Sequence, residues 1–336
     1  MGINPNAHLM NNLYKAVKRS KTRDGYGKGL VKAGEKNNNV VVLCADLSES
    51  TRSEWFQKKF PERFVEVGVA EQNMASLASG MAAAGKIVFM SSYAVFSPGR
   101  NNEQIRTTIS YNSWGSKQGR EINVKIGGAH AGISVGPDGA THQALEDVAL
   151  MRLQPGMIVL VPCDENECEK ATIAAAETPG PAYIRFGRAD YPLITTEKTP
   201  FKIGRMEEFR SGKDCTIVAN GPLVYEALIA AKKLEKEIDC QVLNCCTVKP
   251  LDEQALLKAA RKTGCVVTAE EHQWSGGLAG AVAEFLAENF PVPIRRVGVK
   301  DKFGESGETD ELFKIFGLTS EDIVKAVRAA VKMKKK

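Results

Sequence analysis

Histidine is scarce in this sequence, four residues in 336, so imidazole chemistry has few places to reside. Long apolar runs are missing altogether: no stretch approaches the ~18 apolar residues of a membrane-spanning helix. The amino-terminal MGINPNAHLMNNLYKAVKRSK has no apolar core leading to a small-residue cleavage site, which argues against a secretory signal. Gly2 lacks the Ser or Thr of a myristoylation signal, because the sixth residue is Asn6. A cytoplasmic protein without a membrane partner is the expectation. Eight cysteines are present, yet none forms a Cys-x-x-Cys pair or has a histidine at zinc-ligand spacing. They lie in or beside apolar runs such as VVVLCAD and CVVTAEE and read as reduced core thiols. Neither a Walker-type phosphate loop nor a G-x-G-x-x-G turn occurs, which disfavours nucleotide and dinucleotide sites. The net charge of +5 is modest, and much of it falls in residues 15–28 and 332–336. These runs read as solvated tails, and without a basic face interleaved with aromatics they predict no nucleic-acid partner.

What is present is alternation. The length suits two domains, and apolar residues at 43% with charged residues at 25% are ordinary for a globular chain. VVVLCAD (40–46), KIVFMSSY (86–93), INVKIGGAH (122–130), MIVLVPCD (157–164) and PAYIRFGR (181–188) predict buried strands of a parallel sheet. Helical patterns cover 71–84, 101–111, 142–152 and 165–177. The polar stretch LITTEKTPFKIGRMEEFRSGKD reads as a linker with one short hairpin. A second series then follows: CTIVAN, a helix over 223–235, CQVLNCCTV, a helix from 253, CVVTAEE, a helix from 276, IRRVGV, and a helix over 319–331 that starts on a capping pattern. The fold class is therefore α/β, with two doubly wound domains, the second smaller. The expected boundaries are a basic extension at 1–21, the first domain at 22–192, a linker at 193–212, the second domain at 213–331 and a lysine-rich tail at 332–336. In such sheets ligands bind beyond the carboxyl ends of strands, which points to residues 46–50, 93–100, 130–142 and 188 of the first domain.

Two of the four histidines, His130 and His142, bracket the glycine-rich loop HAGISVGPDGATH, with Asp138 between them. Glycines let such a backbone turn sharply and approach a ligand closely. Glu71 opens the Ala/Ser/Gly-rich helix EQNMASLASGMAAAG after the uncharged Gly68, Val69 and Ala70. Its carboxyl group is expected to be buried in apolar surroundings, where a proton is held more readily. Tyr93 and Phe96 read either as core or as a stacking platform for a flat ring. Arg23, Arg100, Arg106, Arg185 and Arg188 are candidate anion ligands. No metal-binding constellation is visible. These features describe a two-domain enzyme with a polar cleft and leave its reaction open.

The strings FVEVGVAEQNMASLASGMAAAGKIVF, SYAVFSPGRNNEQIRTTISYN, KIGGAHAGISVGPDGATHQALEDVALMRLQPGMIVLVPCDENE and PAYIRFGR, in that order, resemble the pyrimidine-binding domain of transketolases. VVTAEEHQWSGGLAGAVAE is similar to the transketolase carboxy-terminal domain. The resemblance implies thiamine diphosphate as cofactor, with Glu71 hydrogen-bonded to its pyrimidine ring nitrogen and Phe96 and Tyr93 around the ring. Asp46 matches a position near the cofactor and subunit boundary. On the substrate side it implies Asp138 on a sugar hydroxyl, His142 near the carbonyl or hydroxyl of the acceptor, and His130 near its phosphate end. Arg23, Ser50 and Arg188 match phosphate-binding positions. The family's diphosphate and metal motif, Gly-Asp-Gly followed some thirty residues on by Asn, is absent, and PDGATH is not that motif. Metal (magnesium or calcium) and diphosphate are thus expected on a partner chain, the amino-terminal transketolase half, in a dimer of heterodimers acting on sugar phosphates. Asn102 stands where many relatives have a bulky residue, and residues 114–121 (WGSKQGRE) read as a polar surface insert. A deoxyxylulose-phosphate synthase half, a 2-oxo-acid dehydrogenase beta subunit and a non-catalytic subunit are the alternatives. The retained Glu71 and histidine pair weigh against the last, and the Thr141-His142-Gln143-Ala144 run favours transketolase over the first.

Overall fold

Apolar runs each followed by a helix pair most economically in parallel, because the crossover helix then covers the sheet face. The computed structural model, which describes residues 2–15, 17–114 and 121–334, shows this twice. The first sheet runs in the order Thr247–Lys249, Ile158–Leu160, Ala182–Arg185, Val124–Ala129, Ile87–Tyr93, Val40–Cys44, Phe64–Glu66. All its pairings are parallel except that of Thr247–Lys249, which adds to the edge antiparallel. The second sheet is ordered Ile294–Val299, Val266–Gln273, Cys215–Ala219, Cys240–Asn244, Glu207–Arg210, with only the last strand antiparallel. Every residue of Val40–Cys44, Val124–Ala129, Cys215–Ala219 and Cys240–Asn244 is buried, the signature of strands covered on both faces. All eight cysteines are buried and unpaired. Among the described residues no helix is long and apolar enough to cross a membrane.

Six features differ from the expectations. The basic run 15–28 is not a tail, because from residue 22 it belongs to the helix Thr22–Lys36. Glycines at 25, 27, 29 and 34 hide this helix from propensity reasoning, and packing explains them. A Cβ on Gly25 would stand 2.0 Å from the Glu165 carbonyl oxygen, and one on Gly29 2.5 Å from Thr172 Cβ. The helix therefore presses against Glu165–Glu177, flanked by the pairs Lys28–Glu165, Lys32–Glu169 and Lys36–Glu177. The amino-terminal extension is not solvated either: Ala7, Leu9 and Leu13 are buried in the core of the second domain, and Arg19–Lys21 pairs with Asp190–Pro192.

The stretch read as a linker contains the strand Glu207–Arg210 and begins with buried Leu193, Ile194 and Thr195. Asp164 holds it by accepting the Ile194 and Thr195 amides at 2.9 and 2.7 Å and the Thr195 hydroxyl at 2.7 Å. The run CQVLNCCTV is two strands, Cys240–Asn244 and Thr247–Lys249, in different sheets. Residues 101–111 are largely a π-helix, Ile105–Tyr111, a form enriched at functional sites. The lysine-rich end extends the last helix, Ser320–Lys334, and Lys334 Nζ donates to the Thr263 carbonyl at 2.7 Å. Residues 335–336 of that end, and 115–120 of the polar insert, lie outside the described residues.

Candidate active site

The sharp exits from the carboxyl ends of the first sheet bring polar groups to one cleft. Asp46 follows Val40–Cys44 at φ 58° and His130 follows Val124–Ala129 at φ 51°. Non-glycine residues rarely adopt this left-handed region, and it concentrates at functional sites. Glu71 is the first residue of the helix Glu71–Ala83 and only 2% exposed. Its surroundings are not apolar: Arg100 Nη1 donates to Oε2 at 2.7 Å, while Oε1 receives no hydrogen bond from the described residues. Asn101, fully buried, donates through Nδ2 to the Glu71 carbonyl at 3.1 Å and to Ser97 Oγ at 3.1 Å. The Arg100 guanidinium also lies 4.6 Å over the Phe96 ring. Arg100 thus fixes the carboxyl group through one oxygen and Asn101 fixes the main chain that carries it, with the other carboxyl oxygen left for a ligand.

Phe96 stacks on Tyr93 at 5.9 Å, and Tyr93 stacks on His130 at 4.2 Å. His142 meets both aromatic rings edge-on, 6.1 Å from Tyr93 and 5.7 Å from Phe96, and its Nδ1 is 2.9 Å from Thr141 Oγ1. The loop therefore does return both imidazoles to one place. Beyond His130 lies a positive pocket. Arg23 Nη1 is 3.4 Å from His130 Nε2 and donates to the Ser50 carbonyl at 3.1 Å, and Tyr93 Oη donates to Ser50 Oγ at 3.1 Å. Arg188 donates to the Val135 carbonyl at 3.1 Å. Burial, reinforced by Arg23 and Arg188, pushes the His130 imidazole down to about 3. Arg23 is itself lowered by burial and by Arg52, with Arg188 a lesser cause and Asp24 opposing them.

Glu71, Phe96, Tyr93, His130, His142, Ser50 and Arg23 thus form one connected set, with Arg188 joined electrostatically. Asp138 is exposed at the tip of the loop, and Asp46 is exposed with its amide donating to Glu66 Oε1 at 2.7 Å. No hydrogen bond or ring contact joins these two to the set. Two of the arginines read as anion ligands are otherwise engaged: Arg100 holds Glu71, and Arg185 forms a buried ion pair with Asp147 at 2.8 Å. Arg106 is exposed on the π-helix. Asn101 escaped notice because a polar residue after Pro98-Gly99-Arg100 reads as a loop; only its burial reveals the contact with Glu71. Among the described residues no group of three or more His, Cys, Asp or Glu side chains is placed to hold a metal ion.

Comparison with known proteins agrees with this architecture. Residues 18–193 match the transketolase pyrimidine-binding domain and residues 204–323 the transketolase C-terminal domain. The chain is 44% identical over 314 residues to a putative transketolase C-terminal section of Methanocaldococcus jannaschii, covering 92% of this chain and 96% of that one. It is 42% identical to a 6-deoxy-6-sulfo-D-fructose transketolase subunit of a Clostridium species, covering 93% and 95% of the two chains. A solved structure described as a split gene transketolase, inactive beta4 tetramer, superposes with a TM-score of 0.86 at 47% identity over 94% of this chain and 99% of that one. By fold, domain content and sequence together, the chain belongs to the transketolase family, as a split transketolase-like subunit carrying the pyrimidine-binding and C-terminal domains.

Proposed function

We propose that this chain is the pyrimidine-binding half of a two-chain transketolase that moves a two-carbon ketol unit from a ketose phosphate to an aldose phosphate. The carrying observation is Glu71: a buried carboxyl group held by Arg100 through one oxygen with the other unclaimed, beside the Phe96–Tyr93 wall that His130 and His142 meet. That donor set fits the pyrimidine of thiamine diphosphate, the cofactor the family implies, with Glu71 on a ring nitrogen and Phe96 and Tyr93 against the ring. When bound, this cofactor supplies the electron sink for breaking a carbon–carbon bond next to a carbonyl.

The chain's own groups do the rest. Arg100 and Asn101 orient Glu71 so that its free oxygen shares a proton with the ligand. His130, neutral across the physiological range because burial and Arg23 disfavour its charge, orients a substrate oxygen by hydrogen bonding rather than acting as an acid. His142, at the open edge of the aromatic wall, meets the acceptor's carbonyl or hydroxyl, and Asp138 at the loop tip takes a sugar hydroxyl. Arg23 and Arg188, with Ser50, bind the terminal anion, where guanidinium groups match phosphate geometry. Asp46 is assigned to the boundary with the partner. The diphosphate and its magnesium or calcium belong to an amino-terminal partner chain, in a dimer of heterodimers. The sulfofructose specificity of one relative supports testing a sulfonate donor as well, since the same cationic pocket suits either anion.

The test is ketol transfer from xylulose 5-phosphate to ribose 5-phosphate, with thiamine diphosphate and magnesium. It compares this chain alone with a mixture containing a metal-domain partner. Activity only in the mixture is expected. Activity from the chain alone refutes the assignment of the metal to a partner, and silence in an assembled mixture with both phosphate and sulfonate donors refutes the transferase reading.

A further inference from the structure

Three residues of the second domain, Glu271, Glu305 and Thr309, hydrogen-bond to residues 134–143, and one of them is a buried acid. Glu271, 2% exposed, lies near the carboxyl end of Val266–Gln273. Its Oε1 accepts the Ser134 amide at 2.5 Å, and its Oε2 is buried without a partner. A Cβ on Gly132, which sits at φ +88°, would stand 2.4–2.6 Å from the three carboxyl atoms, so the group lies directly against that glycine. The second domain holds the other side of the same residue: Thr309 Oγ1 donates to the Ser134 carbonyl at 3.2 Å. Gln143, which closes the loop, donates to both the Ile133 and the Glu305 carbonyls, at 3.1 and 2.9 Å. Burial of an acid without full compensation is costly, and burial pushes this carboxyl up to about 7.

We infer that Glu271 is a positioning residue of the second domain, which sets the conformation of the substrate loop and hence the separation of His130 and His142. Its two contacts fall on Gly132 and Ser134, two and four residues after His130, which stands at φ 51°. The loop needs glycine at 132 because no side chain fits beneath the carboxyl group. The second domain thus contributes to substrate binding without touching substrate. The inference rests on the proposed function for its kinetic consequences but not for its structural ones.

The test uses the full chain in two arms. Hydrogen exchange compares amides 131–142 in wild type, Glu271→Ala and Glu271→Gln. In Glu271→Ala these amides exchange about ten-fold or more faster, the expected loss for an unpaired buried amide, while Val40–Cys44 is unchanged. In Glu271→Gln protection returns, because the amide oxygen still accepts from Ser134. In the assembled enzyme, Glu271→Ala raises KM for the acceptor by more than it lowers kcat, and Glu271→Gln recovers most of it. Unchanged loop exchange in Glu271→Ala, or a glutamine variant as loose as alanine, overturns the inference. If Glu271→Ala fails to fold, Glu271→Asp, whose shorter side chain withdraws the carboxylate from the Ser134 amide, decides: a few-fold faster exchange confined to the same amides supports the anchorage, and none refutes it. An enzyme inactive in every mixture sinks the transferase reading and leaves the exchange arm fully readable.

Discussion

The two domains are built alike, yet the carboxyl ends of their strands meet opposite fates. In the first, the strands Val40–Cys44, Ile87–Tyr93 and Val124–Ala129 deliver Asp46, Tyr93 and His130 to an open cleft. In the second, the equivalent ends are filled by protein. Asn244 donates to Glu167 at 2.6 Å, the Gly221 amide to the Val161 carbonyl at 3.2 Å, and Arg185 to the Glu271 carbonyl at 2.8 Å. Converging strand termini create a concentration of polar groups that must be satisfied. The first sheet leaves the ends of these three strands for ligands, whereas the second sheet, joined by the first-sheet ends at Val161 and Arg185, uses them as the seam between domains. Function and stability should therefore separate along the same line.

The sharpest separation is expected at Glu71. Glu71→Ala lowers ketol transfer in the assembled enzyme by about 10²–10³-fold or more, with an urea midpoint close to wild type; near-normal rates would remove it from the chemistry. The opposite pattern belongs to the seam. Arg185→Met leaves Asp147 buried without its partner and costs about 3–5 kcal/mol of stability, read from chemical denaturation, and a cost under 1 kcal/mol would show the seam to be less tight than the 2.8 Å pair implies.

A third distinction uses pH. Burial pushes the Glu167 carboxyl up to about 7, so the folded chain keeps a proton that the unfolded chain releases near 4.5. That contribution is complete below about 4.5 and is lost as the pH rises through 7. It is worth up to about 3 kcal/mol. Glu167→Gln, which removes the titrating group, should flatten this part of the stability–pH curve; parallel curves for the two proteins would contradict the assignment. The smallest effect is expected far from both regions. Lys32→Ala, which breaks an exposed pair with Glu169, should change stability by less than about 1 kcal/mol, and a larger loss would mean that the crossing of the two helices depends on charge rather than on glycine.

The same contrast explains what the amino-acid pattern reveals. The strands of both sheets are legible because burial on two faces demands continuous apolar runs. The cleft is legible where unusual residue types cluster at strand ends, as at His130, His142 and Tyr93. The seam is hidden, because nothing in the residue types Glu270, Glu271 and His272 at the end of CVVTAEEH indicates that all three are buried. Helix Thr22–Lys36 is hidden for a different reason: its glycines lower helix propensity while permitting the close crossing that stabilises it. Arg100 falls between these cases, since its type suggested an anion and its anion proved to be Glu71.

The crossing of Thr247–Lys249 into the first sheet has a consequence for how the protein is made. The edge at Ile158–Leu160 stays unpaired until residue 249 has emerged from the ribosome, and the amino-terminal segment that covers the second core has by then waited for most of translation. Nascent chains halted between the domains would expose that edge, and an exposed edge recruits other strands.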